Sequence, residues 1–285
     1  MITGSVPPFR RLALITGGCG GIGIACARAF GMNHDLILTD QAADRLATAT
    51  GLLRDEGYII RSAPAGDIAS DAVLDTIEET VREWGPLGAV VHAAGISPAM
   101  SDWKTIISVN AIGTSILLDR MERLLGPEIV VVLISSMAGH VAPPDETIDA
   151  LLDAPLQPGL FEALEPHLWR VGAAYHRTDL ETPASAYSKR AMIRMAQLRA
   201  ERWAEKGARI VSISTGVLWT AMGRLETELE DAANVLDHTP IRRWGTAMDV
   251  AQAALFLASD RASYITGTDL RIDGGAMPAQ YGVRF

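Results

Sequence analysis

Between Pro183 and Met192 the chain reads PASAYSKRAM, which sets a tyrosine and a lysine, Tyr187 and Lys189, just ahead of a long helical pattern. A phenol and an amine acting on one substrate from one helix face should sit three or four residues apart, and these are two apart. At ~100° per residue, two positions separate side chains by ~200°, whereas four return nearly to the same face. A second chemical signature lies near the start, Thr16–Gly23, TGGCGGIG. Gly18, Gly20 and Gly23 fit G-x-G-x-x-G, and Gly17, Gly21 and Gly23 fit T-G-x-x-x-G-x-G. Both patterns describe a strand turning tightly into a helix, where backbone can approach a pyrophosphate and free N–H groups hold it. The turn follows a β-rich run and opens a helical one (Ile22, Ala25, Cys26, Ala29), the context the motif requires. Seventeen residues after Gly23, a second β-rich run ends in Asp40. A carboxylate there can accept both ribose hydroxyls of an adenosine and repels a 2′-phosphate. Gln41, Ala42 and Ala43 follow, with no base among them, so NAD is expected over NADP.

The elements that must position these groups alternate along the chain. Short β-rich runs lie at Leu12–Thr16, Leu36–Thr39, Tyr58–Arg61, Ala89–His92, Ile129–Ser135, Arg209–Ser214 and Asp269–Ile272, and most are continuous apolar runs, which suggests strands buried on both faces. Helical stretches such as Asp71–Trp84 and Ala191–Lys206 lie between them. The expected fold is α/β: a doubly wound, parallel, seven-stranded sheet of Rossmann type, in a single domain over 1–285.

Two stretches break the rhythm. Gly139–Ala184 holds six prolines and eight acids against two bases, a net −6 out of the chain's −9. Ile148, Leu151 and Leu152 share a helix face there, as do Leu160, Phe161 and Leu164, so it reads as a helical insertion rather than a linker. The second, Trp219–His238, is polar and largely helical.

Composition bounds the partners. The 285-residue chain is 48% hydrophobic and 21% charged, ordinary for a globular protein with ample core. A net charge of −9 disfavours nucleic acid and anionic membrane as partners. Met1–Arg11, MITGSVPPFRR, does not read as a signal peptide, and no apolar run reaches the ~18 residues of a bilayer span. Cys19 and Cys26 match no metal motif and read as free thiols in a reducing cytoplasm.

Over nearly its whole length the chain resembles the short-chain dehydrogenase/reductase family. The resemblance is carried by TGGCGGIG, GDI (Gly66–Ile68), HAAG (His92–Gly95), SVN (Ser108–Asn110), ISS (Ile134–Ser136), AYSK (Ala186–Lys189), STGVLWT (Ser214–Thr220) and ITGTDLRIDGG (Ile265–Gly275), in that order. The long insertion after the serine and the C-terminal third look most like the 3α-hydroxysteroid dehydrogenase/carbonyl reductase branch. The resemblance implies a nicotinamide cofactor held by Gly17, Cys19, Gly20, Gly21, Ile22, Gly23 and Asp40. It places Asp67 and Ile68 at the adenine, Ala93, Ala94 and Gly95 under a ribose, and Thr220 at the carboxamide. Asn110 would hold a helix kink and a water. Two departures are visible: the usual Asn-Ala-Gly reads Ala93-Ala94-Gly95, and the usual Pro-Gly reads Thr215-Gly216.

In the family a tyrosinate partners the hydroxyl proton, its pKa lowered by a lysine that also binds the nicotinamide ribose, while a serine orients the substrate oxygen. Ser136, past the end of its strand, is the preferred serine, with Ser135 the alternative. The family pattern is Tyr-x-x-x-Lys, which leaves three registers. With Lys189 in register, the favoured case, Ser185 fills the tyrosine position. With Tyr187 in register, Ala191 fills the lysine position and Arg190 is an imperfect substitute. In the third, Tyr187 enters from a non-helical turn before the helix. The expected relay is Asn110, Ser136, Tyr187 and Lys189, with Tyr175 an outside candidate for the phenol. The insertion separates Ser136 from Tyr187 by 51 positions, far more than relatives show. Its apolar face (Leu151, Leu152, Phe161, Leu164, Trp169) either walls a hydrophobic pocket or packs the insertion onto the domain. Trp219–His238 would be the substrate loop, with Trp219 and Met222 lining the pocket or buried as anchors.

The expected function is an NAD-dependent, cytoplasmic oxidoreductase interconverting a secondary alcohol and a ketone on a bulky apolar substrate, as a homodimer or homotetramer. The alternative is an NAD-binding protein of the same fold with little turnover, a sensor or assembly subunit.

Overall fold

The seven apolar runs form one sheet of parallel strands. In the computed structural model, which describes residues 10–227, 237 and 239–281, the strands are β1 (Leu12–Thr16), β2 (Asp35–Thr39), β3 (Ile60–Ser62), β4 (Leu87–His92), β5 (Val130–Ser136), β6 (Arg209–Thr215) and β7 (Asp269–Ile272). Their spatial order is β3-β2-β1-β4-β5-β6-β7, and every neighbouring pair is parallel. The order reverses direction between β1 and β4, so a crevice opens at the carboxyl ends of those two strands. The expected boundaries hold to within two residues. The largest slips are at β3, where Tyr58 and Ile59 precede the strand and pairing begins at Ile60, and at β4, which starts two residues early at Leu87.

Two apolar layers sandwich the sheet. One cluster joins Ala13, Ile15 and Val91 to α1 (Gly21–Gly31), α2 (Ala43–Asp55) and α11 (Ala247–Leu257). The other joins Leu14, Val90 and Val131 to α3 (Asp71–Trp84), α4 (Trp103–Ile107), α5 (Thr114–Met121) and α9 (Glu181–Ala204). Between α4 and α5 the helix widens into a π turn over Ser108–Gly113. Burial on both sheet faces explains why the strands read as unbroken apolar runs.

The insertion is helical: α6 (Ala138–Val141), α7 (Glu146–Asp153) and α8 (Leu160–Ala174). Asp145 caps α7 by accepting the N–H groups of Thr147 and Ile148 at 3.2 and 3.1 Å. Ile148, Leu152, Leu160, Leu164 and Leu168 are buried in the second cluster, with Leu151 and Phe161 packed at its margin. Phe161 meets the Trp103 ring edge-on at 5.8 Å. Most of the apolar face therefore packs the insertion onto the domain, and only Trp169 stands substantially exposed, at 45%.

The acids of the insertion meet arginines of α9. Asp149 takes a two-pronged contact from Arg190 at 2.7 and 2.8 Å, and Asp153 one from Arg194 at 2.7 and 2.5 Å. Planar guanidinium and carboxylate match in such pairs, which fixes geometry as well as adding attraction. Two of the insertion's acids, Asp149 and Asp153, thus help attach it to α9. Of the region 219–238, helix α10 (Ala221–Thr227) is described, and residues 228–236 and 238 lie outside the described residues. Among the described residues no helix is long and apolar enough to cross a membrane.

Candidate active site

The carboxyl ends of β1, β4 and β5 bring the candidate groups together. Gly17 leaves β1 with φ +64°, a left-handed conformation, and a Cβ there would lie 2.7 Å from Ala93 O. Only glycine allows the turn and the 93–96 loop to approach this closely. Helix α1 then begins without a side-chain cap and without an acid in its first turn. Its first N–H groups and the positive end of its dipole are available to an anion, which fits the pyrophosphate of a nicotinamide cofactor. Thr220 packs against this end, since a Cβ on Gly21 would lie 3.0 Å from its Cγ2.

Asp40 sits just past β2, its carboxylate accepting the N–H of Cys19 at 3.3 Å and of Ala42 at 3.1 Å. Gly66 N–H donates to Asp40 O at 3.0 Å, so the loop carrying Asp67 adjoins it. Asp67 is exposed with its carboxylate on Ala69 N–H, while Ile68 is buried among core residues. The sequence places no base at positions 41–43, but the fold brings one: Arg45, in the first turn of α2, donates to Cys19 O at 3.3 Å. The expectation that this pocket has no base is corrected on that point. Cys19 and Cys26 are buried free thiols; burial is the main cause that pushes them to about 11 and about 12, so neither is a thiolate.

The 93–96 loop is held by Asn110. Its Oδ1 accepts Ile96 N–H at 3.0 Å, and its Nδ2 donates to Ile96 O and to Ser188 Oγ, both at 3.0 Å. Both amide hydrogens of Asn110 are therefore committed to structure. Asn110 lies within the π turn, a feature frequent at functional sites.

Ser135 and Ser136 divide as alternation along a strand requires. Ser135 Oγ donates to Lys189 O at 2.8 Å, tying β5 to α9. Ser136 is half-buried at the strand's end, and its Oγ accepts Ala138 N–H at 3.2 Å. That leaves the hydroxyl proton of Ser136 for another acceptor.

Lys189 projects toward the same place. A Cβ on Gly95 would lie 3.1 Å from its Nζ and 3.2 Å from Asn110 Oδ1. Nζ also makes a long, 3.5 Å contact to Ile134 O and lies 3.8 Å from Met192 Sδ. One helical face carries Ser185, Ser188, Lys189 and Met192, at i, i+3, i+4 and i+7.

Tyr187 is on the other face. Helix α9 starts at Glu181, so Tyr187 lies well inside it and does not arrive from a non-helical turn, which removes the third register. Its ring is 1% exposed and its hydroxyl donates to Pro143 O, in the insertion, at 2.8 Å. Burial, then Asp145 and Asp149, raise its pKa to about 12. This is opposite to the lowered pKa a tyrosinate needs. The structure brings Lys189 Nζ and Asn110 Oδ1 to the same glycine, Gly95, sets Ser136 at the end of β5, and does not bring Tyr187 to Lys189; the physical reason is the ~200° between side chains two residues apart on a helix. Ser185 instead precedes Lys189 by one turn, and its carbonyl accepts Ser188 Oγ–H at 2.8 Å. Tyr175, the outside candidate, stands 58% exposed at the end of α8.

The match to known proteins follows this geometry. A short chain dehydrogenase family model matches residues 11–148, and one described as enoyl-(acyl carrier protein) reductase matches 173–277. A short-chain dehydrogenase/reductase of Alternaria brassicicola, bsc3, is 32% identical over 275 residues, covering 93% of this chain and 95% of that protein. The chain belongs to the short-chain dehydrogenase/reductase family. A D-threitol dehydrogenase of Mycolicibacterium smegmatis is 28% identical, covering 93% and 92%. The crystal structure of a short-chain type dehydrogenase/reductase from Mycobacterium ulcerans superposes with a TM-score of 0.74 at 26% identity, covering 95% and 91%. As a member of the family the protein is an oxidoreductase whose cofactor is a nicotinamide dinucleotide.

Three groups escaped the sequence reading. His92 was legible only as the polar end of an apolar run, Arg45 as one more helix-surface base, and Ser188 as part of a motif without a role.

Proposed function

We propose that this short-chain dehydrogenase/reductase interconverts a secondary alcohol and a ketone with NAD, on a bulky, apolar, steroid-like or cyclic substrate. The observation that carries the reading is the meeting of Lys189 Nζ with the Asn110-held loop at Gly95, just past the end of β4, with Ser136 at the end of the neighbouring strand β5 and an uncapped, glycine-lined helix end after β1. The cofactor, when bound, supplies the hydride chemistry; the protein supplies placement and electrostatics. Gly17–Gly23 and Thr220 would hold it, with Asp40 on the adenosine ribose and Lys189 on the nicotinamide side. Ser136 has a hydroxyl proton to orient the substrate oxygen. Lys189 brings an ammonium that stabilises negative charge on that oxygen and exchanges its proton. The serine at position 185 is shorter than a tyrosine by a whole ring, so the phenol's share of proton transfer falls to Lys189.

NAD is favoured because Asp40 repels a 2′-phosphate, although Arg45 lies beside the same turn. The apolar substrate is favoured by Trp219, Met222 and Leu225, which follow β6 as exposed apolar side chains at 59%, 36% and 46%, next to Thr220 at the cofactor turn. These residues are therefore not buried anchors. We also propose a cytoplasmic homodimer or homotetramer, which light scattering would check.

A second reading, a nicotinamide-binding sensor or assembly subunit with little turnover, draws on one observation, the phenol turned away from Lys189. The relatives' names, dehydrogenases and reductases, lend it no support. Calorimetric titration with NAD and NADP, beside an oxidation assay on hydroxysteroids, cyclic alcohols and tetritols, separates these readings. NAD binding more tightly than NADP and turnover on the apolar alcohols are expected. Tight NAD binding with no turnover on any alcohol would support the sensor.

A further inference from the structure

The ends of β1 and β4 and the π turn share a row of hydrogen bonds whose direction can be worked out atom by atom. His92, the last residue of β4, is fully buried. Its Nδ1 lies 2.8 Å from Thr16 Oγ1 and its Nε2 lies 2.8 Å from Thr114 Oγ1. A carbonyl oxygen only accepts, so the 2.6 Å contact from Thr114 Oγ1 to Asn110 O uses that hydroxyl's one proton. Thr114 Oγ1 must then accept from His92, which puts the ring hydrogen on Nε2. Burial first, and the Lys189 charge second, hold the imidazole pKa down to about 3, so the ring is neutral and Nδ1 is a bare acceptor. Thr16 donates to it, and its own oxygen accepts Ala94 N–H at 3.2 Å.

The row runs from Ala94 N–H through Thr16, His92 and Thr114 to the carbonyl of Asn110, each bond pointing the same way. Thr114 N–H goes to Ala111 O, so inside the π turn the threonine hydroxyl serves the Asn110 carbonyl. Bonds aligned in this way reinforce one another in a low-dielectric interior. Both ends of the row grip the same loop: Thr16 holds it at Ala94, and Asn110 holds it at Ile96 from both sides. Gly95, between the two grips, faces Lys189 Nζ.

We propose that His92 is a positioning residue for hydride transfer: as a neutral Nε2–H imidazole it ties the Thr16 and Asn110 clamps together and sets the place of the 93–96 loop against Lys189. The proposal rests on the oxidoreductase reading. A protonated ring would turn Nδ1 into a donor, so Thr16 Oγ1 would accept from both Nδ1 and Ala94 N–H, its own proton would lose this acceptor, and the common direction of the row would be broken.

The test pairs nuclear magnetic resonance of the cofactor-free protein with steady-state kinetics. In protein labelled with 15N-histidine, the ring signals altered most by Thr114→Val belong to His92, and loss of the same signals in His92→Phe confirms them. A protonated Nε2 and an unprotonated Nδ1, unchanged between about pH 5 and 8, are expected, a range over which an ordinary imidazole titrates. Thr114→Val removes the acceptor at nearly constant volume, and Thr114→Ser restores it. Thr114→Val should lower kcat roughly 10- to 100-fold, the cost of a small misplacement, with the KM for cofactor within about threefold. Thr114→Ser should stay near wild type. A hydrogen on Nδ1, a ring titrating at the ordinary histidine value, an unchanged kcat in Thr114→Val, or a Thr114→Ser variant as damaged as Thr114→Val would each overturn the proposal. Failure of the oxidoreductase reading looks different: the wild type itself then turns over no alcohol, and both ideas fall together.

Discussion

Two faces of one helix, α9, do different work. The face of Ser185, Ser188 and Lys189 meets the sheet, the Asn110 amide and the 93–96 loop. The face of Tyr187, Arg190 and Arg194 meets the insertion, through Pro143, Asp149 and Asp153. A tyrosine and a lysine that look like partners on paper are split between a chemical face and an attachment face. The difference also shows in ionisation. On the attachment side burial keeps the Tyr187 phenol protonated far into alkali, and on the chemical side it keeps His92 neutral far into acid.

The contrast can be broken or sharpened by substitution. The largest effect is expected from Lys189→Met, which removes the charge from the chemical face: turnover should fall by at least about 10³-fold, within the range of general acid–base contributions. Steady-state rates check this, and retention of turnover within tenfold of wild type would remove Lys189 from the chemistry. Next, Tyr187→Ala empties a buried site under the insertion and should cost roughly 3–5 kcal/mol of stability, as other large aromatic deletions do. Denaturant unfolding measures it.

A sharper probe is Ser185→Tyr, which places a phenol one turn before Lys189. In a Tyr187→Phe background, ultraviolet titration should find the new phenol ionising below the ordinary tyrosine value. Turnover should rise by about 10- to 100-fold, at the low end of what an added acid–base group contributes. A new phenol that titrates as high as Tyr187 would mean that position 185 does not face Lys189.

The pH dependence of stability should have two limbs. The folded pKa of His92 is depressed, so the unfolded chain binds the proton first as pH falls. Stability is complete above the unfolded histidine pKa and declines toward about 3, by at most roughly 1.4 kcal/mol per pH unit. The folded pKa of Tyr187 is raised, so the unfolded chain loses the proton first as pH rises. Stability then declines between the ordinary tyrosine value and about 12. Thermal unfolding across pH checks both, with Tyr187→Phe reducing the alkaline limb alone and leaving the share that the buried thiols Cys19 and Cys26 contribute to it. The smallest effect is that of Tyr187→Phe at neutral pH: about 1 kcal/mol of stability for one lost hydrogen bond, with kcat unchanged. A large fall in kcat at unchanged stability would return the tyrosine to the chemical face.

Much of this was legible in the chain because it depends on local pattern. Most strands could be read since they are apolar along their length and buried on both sides, as in β1, β2 and β4. The glycine turn could be read since only glycine tolerates the close approach of Gly17 to Ala93. The insertion's helices followed from their apolar spacing. Its use did not, because Leu152 and Leu164 would look the same lining a pocket as filling a core.

What the sequence alone determined is the family, the parallel sheet and the angular separation of Tyr187 from Lys189, since periodicity and helix geometry need no knowledge of neighbours. What only the tertiary structure decided is which of the two faces the sheet. It also decided that Arg45 reaches the cofactor turn, and that Thr16, His92 and Asn110 join in one row though they stand 76 and 18 positions apart along the chain. Those choices depend on which elements pack together, and that is settled by the burial of whole surfaces, which no short stretch of residues contains.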